Sequence, residues 1–183
     1  MVVSTILNRM NGKSGWEKFN RCFEGFRSVG KLLFHPGTFY KGLSLDRGFV
    51  AALGFLVTSS VFFGVLASMF IPQKQWLFGA IFSLNAITMP PVMALILFLI
   101  TLIGSKKGFT YRILFIITAY SNITLILAWI PGLSWMTGLW RFYLIGLGLV
   151  KLGRMSALNA FITVAVTATI LLLFIYLMQP FNL

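Results

Sequence analysis

The chain has the length of one ordinary domain, 183 residues, yet 58% of them are hydrophobic and only 10% are charged. Soluble domains carry about 25% charged residues, so this chain lacks the charges to cover a water-facing surface. Its mean hydropathy of +0.92 agrees. The charge is also lopsided, with 15 Lys and Arg against 3 acids and a net charge of +12. Those basic residues flank apolar runs and form no soluble domain. That excludes a nucleic-acid module and points to anionic lipid head groups.

The first ten residues, MVVSTILNRM, are too short and too interrupted for a signal peptide, so the first span is expected to be an uncleaved anchor. Residues 14–34 come next. Trp16, Phe19, Phe23, Phe26 and Leu33 recur at three- and four-residue steps, while Lys18, Arg21, Arg27 and Lys31 fill much of the remaining circumference. This pattern predicts an amphipathic helix. It lies either in the lipid interface with its basic residues at anionic head groups, or on the protein's own cytoplasmic face. Cys22, the single cysteine, is either a small apolar residue on that helix or an acylation site. Phe34-His35-Pro36-Gly37 should end the helix.

Residues 1–47 thus read as a basic cytoplasmic arm and 48–183 as a transmembrane domain of about five helices, an all-α polytopic bundle. Residues 48–71 form an uncharged run, long enough at ~1.5 Å per residue to cross a ~30 Å core. Residues 77–103 form the second run, expected to bend or break at Pro90-Pro91. Residues 111–130 make the third, closed by a tight turn at Pro131-Gly132. Residues 134–150 and 157–178 make the fourth and fifth.

The basic residues set an orientation. Eight lie in the N-terminal arm. Lys106, Lys107 and nearby Arg112 follow the second span, and Lys151 and Arg154 follow the fourth. With five spans all of these share one side, and only Lys74 faces the other. The N-terminus is then cytoplasmic and the C-terminus lies on the opposite side, in what reads as a bacterial inner membrane.

Several short motifs recur in a familiar order. They are His35-Pro36-Gly37-Thr38-Phe39, Gly104-Ser105-Lys106-Lys107-Gly108-Phe109, Ala119-Tyr120-Ser121, Ile130-Pro131-Gly132 and Gly146-Leu147-Gly148-Leu149. In this order and spacing the chain from His35 onward resembles the Yip family of Rab/Ypt-interacting membrane proteins. The resemblance implies five spans, a cytoplasmic N-terminus and a non-enzymatic role in organising membranes or binding partners. The long acidic N-terminal segment of the eukaryotic members, with its Asp-Leu-Tyr-Gly-Pro motif, is absent. The shorter basic arm is most like the bacterial relatives.

Catalytic constellations are missing. One histidine, one cysteine and three acids supply neither a metal cage nor an intramembrane carboxylate pair, so no cofactor is expected. The sequon Asn122-Ile123-Thr124 falls inside a span, where glycosylation cannot reach it. Arg141 is the exception in an apolar interior. It lies about 10 Å into the fourth span, where a charge costs about 2.5–3.5 kcal/mol, and every acid of the chain precedes residue 47.

Counted inward from the same surface, Asn85, Thr88, Tyr120 and Asn122 reach a similar depth, with Ser59, Ser60 and Thr169 slightly deeper. Three readings stand. Arg141 snorkels to the head groups beside Trp135 and Trp140. Alternatively, a polar layer facing the bundle interior holds it, helped by carbonyls freed at Pro90-Pro91. Or the layer binds an anion. The repeat Ser60, Gly64, Ser68 predicts close helix packing, as do Ala160, Thr163, Thr167 and Ala168. Gly146, Gly148 and Gly153 are expected to allow close approach.

Two functions follow as expectations. One is a membrane organiser or adaptor with lipid contacts and a protein partner or second copy. The other is a small permease or channel built on the broken second helix and the polar layer.

Overall fold

A computed structural model describes residues 30–43, 45–71, 75–104, 109–128, 130 and 132–178. Among them all regular structure is helical. Residues 30–34 are helical, and this helical segment stops at His35. A short helix, α1 (Pro36–Lys41), begins at once, with proline in its first turn and the Thr38 hydroxyl donating to the His35 carbonyl at 2.8 Å. The long helices are α2 (Leu45–Ser68) and α3 (Gln75–Gly104). A third rod follows, made of α4 (Tyr111–Ser121), a 3-10 turn (Asn122–Thr124) and α5 (Leu125–Ala128). The chain finishes with α6 (Ser134–Lys151) and α7 (Ala157–Met178).

Three rods are long and apolar enough to cross a membrane: Gly48–Ser68, Trp76–Gly104 and Tyr111–Ala128. The protein is therefore an integral membrane protein by length and composition. Its outer surface supports this. Val50, Leu84, Leu102, Ile103, Phe161 and Leu172 all expose more than half of their surface, which water would penalise and acyl chains accept.

The third rod is the axis of the bundle. It is 61% buried against 28% and 33% for the other two. Every residue from Leu114 to Thr124 is buried, with α2, α3 and α6 packed around it. Helix α7 sits at the periphery, touching α3 and α6. It buries Ala160, Thr163 and Thr167, the stripe its sequence predicts.

The α2–α3 hairpin is the tightest contact. A Cβ on Gly64 would lie 2.5 Å from the Gly79 carbonyl and collide with the Ser83 hydroxyl. Gly79 faces Ser68 in return. The predicted small-residue stripe is thus a backbone-to-backbone seam. The turn between the third rod and α6 needs glycine for a different reason, because Gly132 adopts φ +88°.

The break expected at Pro90-Pro91 does not occur. Helix α3 runs unbroken through Pro90 and Pro91. Neither proline donates an N–H to the preceding turn, so the Ala86 and Ile87 carbonyls are left without that partner. The surrounding bundle tolerates this, with Pro90 buried and the Tyr111 hydroxyl donating to the Pro91 carbonyl at 3.3 Å. A single lost bond per proline in a 30-residue rod does not offset the packing of its neighbours.

At one end of the bundle, Gly153 of the α6–α7 turn lies directly under the ring of Phe109, two residues before α4. Tyr40 of α1 packs on Gly148, near the same end of α6.

Candidate functional site

Most hydroxyls in the long rods are closed off locally. Thr58, Ser59, Ser68, Ser83, Thr101, Thr118, Ser121, Thr124, Thr163 and Thr167 each donate to a carbonyl three or four residues back. In a medium without water this is the cheapest way to satisfy a hydroxyl. Among the described residues, the buried side-chain atoms left without a partner belong to Tyr40 on α1, Asn122 in the third rod and Arg141 on α6.

Arg141 lies on α6 in line with Thr137, Leu144, Ile145 and Gly148, the buried face of that helix. Its Nε and Nη2 atoms are shielded and make no hydrogen bond. The guanidinium therefore points into the bundle and does not snorkel beside Trp135 and Trp140, which are exposed. Gly148 opposes Ile117. Since α6 and the third rod run antiparallel, two turns back along α6 brings Arg141 level with Thr124, seven residues beyond Ile117. This is the 3-10 turn that begins at Asn122.

Asn122 is fully buried. Its Nδ2 donates to the Ser60 hydroxyl on α2 at 3.1 Å, while its Oδ1 has no partner. Tyr120, two residues closer to the Phe109–Gly153 end, packs edge-on to Phe39 and tilted against Phe55, with ring centroids 5.0 and 5.3 Å away. Tyr40, which the sequence reading had not singled out, is buried in the same region with its hydroxyl unpartnered. Burial, and then the nearby Tyr120 phenol, hold the Tyr40 hydroxyl protonated well above the ordinary tyrosine range. Only its place directly after the His-Pro-Gly-Thr-Phe motif marks it in the sequence.

The predicted polar layer is thus half assembled. Arg141, Asn122, Tyr120, Ser59 and Ser60 face inward. Asn85 and Thr88 do not, because both lie on the exposed side of α3, where Thr88 donates to the Leu84 carbonyl at 2.8 Å. Thr169 is likewise exposed and bonded to the Ala165 carbonyl. Helix α3 packs on α2, α4 and α7, and α6 on α1, α4, α5 and α7. Carbonyls freed at Pro90-Pro91 therefore stand across the third rod from Arg141 and do not hold it.

Of the expected lipid-interface residues, Trp16, Lys18, Phe19, Phe23, Phe26 and Arg27 lie outside the described residues. Lys31 is exposed, and beside it Leu32 is buried in the core, so the final turn of that segment docks on the bundle. No group of three or more His, Cys, Asp or Glu suited to a metal ion occurs among the described residues.

Two grooves flank α7 on the lipid side, of about 440 Å³ against α3 and about 390 Å³ against α6. Both are walled mainly by aliphatic side chains. No family model, curated protein or solved structure matches this chain.

Proposed function

We propose that the protein is a five-span, non-enzymatic scaffold of the bacterial inner membrane that organises lipid and protein partners through its outer surface. The N-terminus and the basic turns face the cytoplasm in this reading, and α6 and α7 are the fourth and fifth spans. The motif order resembling the Yip family supports it.

The observation that carries it is the filled axis. Side chains from Leu114 to Thr124 are buried in an unbroken run, and their hydroxyls fold back onto their own helix. A conduit needs polar groups turned toward a path, whereas the two grooves beside α7 are open and walled mainly by aliphatic side chains. In proteoliposomes the protein should pass neither chloride, phosphate nor protons above empty-vesicle rates, while cross-linking in native membranes should trap a stable partner or a second copy. Measured flux together with failure to trap any partner would reject the scaffold.

A second reading rests on Arg141. Its Nε and Nη2 form the side-on edge of the guanidinium, the pair that grips two oxygens of a carboxylate or phosphate, and no acid of this chain follows residue 46. An anion permease would use that edge. Flux that disappears in Arg141→Met would favour it.

A further inference from the structure

Helix α3 carries two stripes on opposite sides. Ala86, Pro90, Met93, Leu97 and Thr101 are buried and face the bundle. Ile81, Asn85, Thr88, Val92, Leu95, Leu99 and Leu102 are exposed. Members of this outer stripe follow one another at alternate steps of four and three residues. That is the heptad repeat along which two like helices pack. At ~1.5 Å per residue the stripe extends about 32 Å, close to the thickness of the hydrocarbon core.

An apolar stripe says nothing by itself in a membrane, because lipid tails cover Ile, Val and Leu equally well. Asn85 is the exception within it. It stands nine residues beyond Trp76, where the span begins, so it lies about 14 Å along the rod. Its short side chain does not reach a head-group layer from that depth. The carboxamide is exposed and has no hydrogen-bond partner among the described residues. Thr88, one turn on, is already satisfied by the Leu84 carbonyl. An amide left bare in hydrocarbon carries a heavy cost, which acyl chains do not relieve.

We propose that the outer stripe of α3 is the two-fold interface of a homodimer, with Asn85 hydrogen-bonded to Asn85 of the partner subunit. Copies inserted in one membrane point the same way. A two-fold axis along the membrane normal therefore sets the two α3 helices parallel, with each residue level with itself. A carboxamide is complementary to its own copy, since each amide N–H donates to the other's oxygen and both are satisfied. The stripe carries no charge that would select an acidic or basic partner instead. Asn85, Val92 and Leu99 fill one set of heptad positions, and Ile81, Thr88, Leu95 and Leu102 the other. A single asparagine in such a line is the device that fixes register and favours two strands. The inference needs only that lipid solvates α3, and it goes beyond the scaffold reading.

The test uses the full chain with Cys22→Ser, so that each introduced thiol is the only one. In native membranes, oxidation with copper phenanthroline should link Thr88→Cys and Leu95→Cys proteins into a species of twice the chain mass. Leu139→Cys, exposed on α6 across the third rod from α3, should stay single. In phosphatidylcholine bilayers, energy transfer between labelled copies diluted with lipid gives the dissociation constant. Asn85→Leu should raise it about three- to tenfold, the worth of one or two interhelical hydrogen bonds. Asn85→Gln, also self-complementary, should recover part of the loss.

Because Asn85 faces outward, leucine there leaves the fold intact, which an unchanged unfolding curve in detergent verifies. A wild type that is monomeric at every dilution would overturn the proposal. So would a dimer indifferent to Asn85→Leu. Thiols at positions 88 and 95 that link only within the chain, or only to a protein of different mass, would overturn it as well. Solute flux would defeat the scaffold reading and leave the dimer standing, whereas a monomer without flux would defeat the interface alone.

Discussion

The α2–α3 hairpin and the seam between the third rod and α6 are both helix contacts inside one bundle, yet they are built on opposite principles. In the hairpin the backbones touch through Gly64 and Gly79, and the serines beside them bond to their own helices. Its polar groups are satisfied before the helices meet, so shape alone joins them. In the seam, Tyr40, Asn122 and Arg141 each keep a shielded polar atom without a partner. Shape does not explain that arrangement, and it costs stability. The hairpin is a structural clamp, and the seam is where the molecule retains chemistry it has not spent on folding.

Substitutions can break or sharpen this contrast. The largest effect is expected at Gly64→Leu, which drives a branched side chain into Ser83 and the Gly79 carbonyl. It should destabilise the protein by about 3 kcal/mol, the upper part of the overpacking range, read from unfolding in dodecyl maltoside titrated with dodecyl sulfate. Gly138→Ala is the control, since its Cβ meets nothing within 4 Å, and it should be neutral or slightly stabilising.

Next comes Arg141→Met. Replacing a shielded, unpaired charge with an apolar chain of similar length should raise stability by about 1–3 kcal/mol. A loss instead would mean that the guanidinium is paired in the membrane.

Tyr40→Phe removes an unpartnered buried hydroxyl and should be neutral or stabilising by up to about 1 kcal/mol in the same titration. The smallest effect is expected from Ser60→Ala, which takes away the acceptor of the Asn122 amide. Interhelical hydrogen bonds in membranes are worth about 0.6 kcal/mol, so a shift beyond ~2 kcal/mol would show that Asn122 anchors more than one contact.

Depth was legible in the sequence and azimuth was not. Counting residues from a span end puts Arg141 and Asn122 near one level, as the register of α6 against the third rod does. It could not say which side of each rod they occupy. In a soluble helix the apolar stripe reveals the inner face, but apolar residues line both sides of α3, with Met93, Ala94 and Leu97 buried and Leu84, Leu95 and Leu99 exposed, so its pattern carries no such signal. Asn85 and Thr88 were therefore assigned to the interior and lie outside it.

The small-residue stripe on α2 was readable because close approach admits only a few residue types. The end of the first helix at His35 was readable because proline restricts its predecessor. The break expected at Pro90-Pro91 does not occur because neighbouring helices keep α3 helical through the fault. Tyr40 has no signal beyond its place after His-Pro-Gly-Thr-Phe, since a tyrosine beside a span is ordinary at a membrane interface.

Helix α3 is 30 residues long, and α6 beside the same axis is 18. At ~1.5 Å per residue these rods measure about 45 and 27 Å, against a hydrocarbon thickness of about 30 Å. With α6 as the fourth span proposed above, one flank of the protein overshoots the bilayer and the other falls slightly short of it. Hydrophobic mismatch of opposite sign on two sides of a small bundle tilts it or pinches and swells the surrounding lipid. Such a molecule imprints a gradient of thickness on its annulus, and neighbours sensitive to thickness would sort to one flank or the other.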